Sequence, residues 1–160
     1  MIQAITETDF KIRIQTEDNR IDTSVVSTQI RHLIKFTNDF DKSIVYAYGV
    51  AETIKDRFTL ITIDYNVTPN LYTGEVNLLP AGYWKYEAYE VSWIGTVTIS
   101  EDYAPATEDD VLSPVDDDKG VVQGLVTKGK MYLAEKDGTE QVQYTEHPEP
   151  TETNYIYYGQ

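Results

Sequence analysis

The side chains able to do chemistry are few and poorly grouped. The chain holds two histidines, His32 and His147, and neither has a second histidine at metal-ligand spacing. His32 lies between Arg31 and Leu33 in a run that reads as a strand, so a surface or packing role is expected rather than a catalytic one. His147 stands beside Pro148 in an acidic stretch expected to be exposed. No Gly-x-Ser-x-Gly elbow presents a serine nucleophile. Gly120, Gly124 and Gly129 lack both P-loop spacing and its terminal Lys-Ser/Thr, and bends or close backbone approach explain them better. Cysteine is absent, which excludes disulfides, thiolate zinc sites, iron–sulfur clusters and a cysteine nucleophile.

Carboxylates are abundant, so an acid and a base could always be nominated, and that abundance makes the signal weak. A glycosidase pair needs two acids facing each other across a cleft, and no motif marks one. Asp116-Asp117-Asp118 suggests calcium but lacks the EF-hand register, so a solvated loop is the preferred reading. Asn66-Val67-Thr68 is a glycosylation sequon, but no basic region followed by an apolar run marks a secretory signal. The expectation is therefore no enzyme activity, no cofactor and no metal, in a soluble protein made in a cytoplasm.

The net charge is −14. Duplex DNA carries one negative charge per ~1.7 Å, so binding along it by phosphate neutralisation is not expected. Thirteen tyrosines fit both strands and interfaces.

These side chains must be carried by strands. Phe10, Ile12 and Ile14 alternate with Lys11, Arg13 and Gln15. Leu33–Phe36 and Ile44–Val50 flank a turn-rich Asn38–Asp41 and read as a hairpin. Phe58–Tyr65 is a β-branched run closed by Pro69. In Gly82–Ile94 the apolar set passes from Trp84, Tyr86 and Ala88 to Tyr89, Val91 and Trp93, which predicts a bulge near Ala88-Tyr89. Residues 101–118 read as a long exposed acidic loop. Leu125–Ala134 reads as a strand, with Asp137-Gly138 turning into a partner at Gln141–Thr145. A short helix is expected over Thr23–Gln29 from the spacing of Val25, Val26, Ile30, Leu33 and Ile34. The expected fold is all-β: one antiparallel β-sandwich or barrel over residues 1–147 with its acidic loop, then a Pro/Tyr-rich tail, 148–160.

At His32–Asp39, with its Phe36-Thr37-Asn38-Asp39 turn, the sequence resembles small structural proteins of tailed bacteriophages, including crAss-like phages of Bacteroidota. The resemblance continues through Arg57–Leu60, through Gly74–Glu90 with its Leu79-Pro80-Ala81-Gly82-Tyr83-Trp84 core, and through Gly124–Leu133. It covers residues 8–147. It departs in the acidic insertion, 101–118, and in the tyrosine-rich end. It implies a virion component assembled in the host cytoplasm: a homo-oligomeric ring, about twelve-fold, joining portal, neck and tail proteins around the DNA conduit. Capsid decoration is the alternative. No catalytic residue is carried over, and neither specific nucleic-acid binding nor a membrane is expected. The expected interface residues are Asp109, Asp110, Asp116, Asp117 and Asp118 in the loop, and Tyr155, Ile156, Tyr157 and Tyr158 in the tail.

Two other classes compete. A carbohydrate-binding adhesion module would expose Trp84 and Trp93 as a platform. A carboxylate-pair hydrolase has no motif behind it.

Overall fold

The computed structural model describes residues 1–113 and 118–137. The chain is all-β. Its strands are β1 (Ile2–Ile5), β2 (Phe10–Ile14), β3 (Ile30–Asn38), β4 (Ile44–Ala47), β5 (Ala51–Ile54), β6 (Thr59–Tyr65), β7 (Glu75–Val76), β8 (Gly82–Ser92) and β9 (Val121–Ala134). The first sheet has the order β1-β9-β8-β3-β4. The second has the order β2-β6-β5, with β7 added on β6.

Strict alternation places the core. Phe10, Ile12 and Ile14 of β2 and Ile61 and Ile63 of β6 meet Ile34 and Phe36 of β3, Trp84 and Ala88 of β8, and Met131 and Leu133 of β9 in one buried cluster. Phe10 and Phe36 join the two sheets edge to face, with centroids 6.2 Å apart. Each such buried apolar side chain stabilises the fold by roughly 1.5–3 kcal/mol.

The pairing is mixed rather than antiparallel throughout. β1 runs parallel to β9 and β7 parallel to β6. No hairpin joins either pair, so nothing forces their directions to oppose. The expected β3–β4 hairpin is present.

The register shift falls between Ala88 and Tyr89 as expected, and a second follows between Glu90 and Val91. The extra residues belong to β9, however. Tyr89 pairs with Leu125 and Ala88 with Thr127, leaving Val126 over; likewise Gln123 is left between Gly124 and Val122. β8 keeps its alternation. Its second apolar set arises because both faces are buried: Val91 joins Leu33, Tyr48, Trp93 and Ala104 in a separate cluster on the outer side of the first sheet.

That cluster is roofed by the acidic stretch, which corrects the expectation of an exposed loop. Ala104 and Pro105 are buried. Tyr48 donates its hydroxyl to the Pro105 carbonyl at 2.7 Å, and the Trp93 indole N–H donates to the Tyr103 carbonyl at 3.2 Å. Residues 101–113 therefore form a flap lying on the first sheet.

The expected helix over Thr23–Gln29 reduces to one 3₁₀ turn, Ser27–Gln29. Val25, Val26 and Thr28 are β-branched, and Asp22 spends its carboxylate on the Ser24 N–H and hydroxyl instead of capping a helix. The near-helical spacing of Leu33 and Ile34 has another origin: they bury opposite faces of β3. The expected strand Gln141–Thr145 and the tail, 148–160, lie outside the described residues. Over Met131–Leu133, β9 is already flanked by β1 and by β8.

Candidate functional site: a lysine-lined trough on the outer sheet face

The flap covers only part of the outer face of the first sheet. The remainder is an open trough of about 640 Å³. Its floor crosses β4, β3, β8 and β9. Ile44 and Thr37 are paired, as are Lys35 and Glu87, Lys85 and Lys130, and Glu87 and Lys128. Because strand side chains alternate, the cross-strand neighbours Lys35, Lys85, Lys128 and Lys130 all project to this one face. Four of the chain's thirteen Lys and Arg residues thus line one depression on a strongly acidic body.

Lys35 is neutralised at the flap. Its ammonium pairs with Glu108 and lies 3.9 Å from Glu87. Tyr46 donates its hydroxyl to the other Glu108 oxygen. Burial works to raise the Glu108 pKa, but hydrogen bonds from Lys35 and Tyr46 outweigh it and hold the carboxyl below its usual value. The Glu108 hydrogen bond in turn pushes the Lys35 pKa upward. Burial, then the Glu108 hydrogen bond, raises the Tyr46 phenol to about 12.

Lys85 reaches Asp39 at 3.4 Å. Lys128 and Lys130 form no ion pair among the described residues. Lys85 and Lys130 are direct cross-strand partners, and like charges opposite one another destabilise a sheet. Lysine often protects open strand edges, but Lys35 and Lys85 sit on interior strands. Tyr83 and Tyr132, the next cross-strand pair on this face beyond Lys85 and Lys130, lie ring to ring at a tilt with centroids 5.1 Å apart.

The described members of the sequence-predicted interface lie elsewhere. Asp109 is exposed on the flap, and Asp110 accepts the Ala106 N–H at 2.9 Å. Asp118 is exposed. Asp116 and Asp117, and Tyr155, Ile156, Tyr157 and Tyr158, lie outside the described residues. The trough lysines were missed because their convergence depends on the β8–β9 register. Only Lys128 and Lys130, two apart in one strand, could be placed on a common face from sequence.

The segments around Asn38 and Trp84 meet at one corner. Asn38 pairs with Trp84 across β3 and β8. Both side chains donate to the Pro80 carbonyl, at 3.4 and 3.1 Å, and the Asp39 N–H donates to the Tyr83 carbonyl at 2.9 Å. Trp84 and Trp93 are both fully buried, so neither contributes to a sugar platform.

A second polar centre lies between the sheets. β4 leaves the β3 edge open at His32, and the Glu52 carboxylate of β5 fills the gap. It accepts the His32 backbone N–H at 3.1 Å and contacts the ring Nδ1. Beside them the buried Glu90 carboxylate accepts the backbone N–H groups of Ile21 and Asp22 at 3.0 and 2.7 Å. These groups saturate one another and tie the segment before β3 to the first sheet.

No family model, curated protein or solved structure matches the chain.

Proposed function

We propose that this chain is a structural subunit of a tailed-phage virion that assembles head to tail, as one copy in a ring of the portal–neck–tail region. The observation that carries the reading is the segregation of charge. A trough lined by four lysines and Glu87, with Lys128 and Lys130 outside any ion pair among the described residues, stands on a chain of net charge −14. Two unlike surfaces on one subunit suit heterologous contacts, and heterologous contacts that close by rotation make rings.

The family-like segments support the same reading. Asn38 and Trp84 are buried and both donate to the carbonyl of the exposed Pro80, a scaffold contact. A structural subunit needs a rigid domain and complementary surfaces, and the acidic remainder of the surface keeps free copies apart until a matched contact forms.

Native mass spectrometry of the full chain tests this. A single closed oligomer of defined copy number is expected at micromolar concentration. A monomer at every concentration would contradict ring formation, and an open ladder of sizes would contradict closure.

A further inference from the structure

We infer that the lysine trough is the receptor for the acidic, tyrosine-rich C-terminal segment of a neighbouring copy, a contact that rests on the assembly reading and names its two surfaces. Two of the receptor's four lysines, Lys128 and Lys130, form no ion pair among the described residues; Glu87 stands opposite Lys128, while Lys130 faces Lys85, whose counterion is Asp39. The like-charged pair is a standing cost to the sheet, relieved when an anion lies between the two ammonium groups.

The chain's own sequence holds the complement. Residues 138–160 contain Glu140, Glu146, Glu149 and Glu152 and no lysine or arginine. Tyr155, Tyr157 and Tyr158 follow, which suits large rigid contacts with a polar tip. Fully extended, this length spans roughly 75 Å, enough to reach an adjoining subunit.

The assembly reading assigns the segment to a neighbour's trough, and the chain's exit is held at a corner of the fold. The Thr6 N–H donates to the Ala134 carbonyl at 2.8 Å, the Lys136 N–H donates to the Thr6 hydroxyl at 3.0 Å, and Lys136 lies 3.6 Å from Glu7. Thr6 and Glu7 form the corner where the chain crosses from the first sheet to the second. The last described residues are therefore anchored at that corner.

The test uses the full chain, mixed from unlabelled and ¹⁵N-labelled protein and treated with a zero-length carbodiimide that joins lysine to glutamate. Expected are cross-links from Lys85, Lys128 or Lys130 to Glu146, Glu149 or Glu152 in which the two peptides carry different labels. The double reversal Lys85→Glu/Lys130→Glu is expected to weaken self-association at least about tenfold by sedimentation, with tryptophan fluorescence unchanged as a check on folding. Adding Glu149→Lys/Glu152→Lys is expected to restore it. An oligomer without these cross-links, or with same-label pairs alone, overturns the inference and leaves the assembly reading standing. A monomeric wild-type chain overturns both.

Discussion

Glu108 joins the flap to two strands at once, through Lys35 of β3 and Tyr46 of β4. With most of its surface removed from water, Glu108→Ala is expected to destabilise the fold by about 1–3 kcal/mol, the range for hydrogen bonds to a charged group, read as a lower urea midpoint. The clamp also has a pH window. The folded Glu108 pKa is depressed, so its contribution is present above the unfolded carboxyl value of about 4.3 and is lost as pH falls through the folded one. Tyr46 is raised to about 12. Its contribution is complete below the unfolded phenol value of about 10 and is lost as pH climbs toward the folded one. The urea midpoint of the wild type is therefore expected to fall on both sides of a neutral plateau, and Glu108→Gln should flatten the acid limb. His32 and Glu52 provide a second test at this scale. His32→Leu removes the ring partner of the buried Glu52 carboxylate, leaving it the backbone N–H of position 32, and should cost about 1–3 kcal/mol, while His32→Leu/Glu52→Leu should recover part of it. Little of this was legible beforehand. The sequence left His32 between a surface and a packing role; it is buried, and its partner lies twenty positions away in the other sheet, a contact that only the folded arrangement defines.

Among the elements, β2 was the most legible because one face is buried and one is wet, which gives strict alternation. β3 and β8 were harder, because a strand buried on both faces loses its period. Leu33, Val91 and Trp93 were the signal that something must cover the outer side of the first sheet. The acidic stretch was the long unassigned segment available to do it. Composition argued for exposure, yet backbone carbonyls of Tyr103 and Pro105 make the docking contacts while the carboxylates mostly stay wet. Gly120 tests this layer. Its N–H donates to the Tyr103 carbonyl at 2.8 Å, and a Cβ placed there would stand 2.6 Å from the Trp93 ring. Gly120→Val is therefore expected to lift the flap. Trp93 emission should shift to the red, and amides of residues 103–108 should exchange faster than those of β6. Unchanged emission would argue that the flap is not what shields Trp93.

At the scale of the molecule, charge is distributed unevenly: a body of net charge −14 carries one lysine-lined depression on the face the flap leaves bare. Association through that depression is expected to weaken with salt, since contacts between partly exposed charges are screened beyond about 10 Å at 0.1 M. Raising sodium chloride from 0.05 to about 0.5 M should dissociate the oligomer without shifting the tryptophan emission. A contact held mainly by apolar burial would instead persist or strengthen. The proposal of a ring also makes a claim about symmetry that binding data alone do not address. Unlike surfaces meeting head to tail give rotational symmetry, whereas a self-complementary patch gives a two-fold pair. Electron-microscope class averages of the assembled full chain decide between these most directly. The expected result is a closed ring with a single rotational axis and a central opening; two-fold dimers, or monomers at concentrations where association was sought, would contradict it.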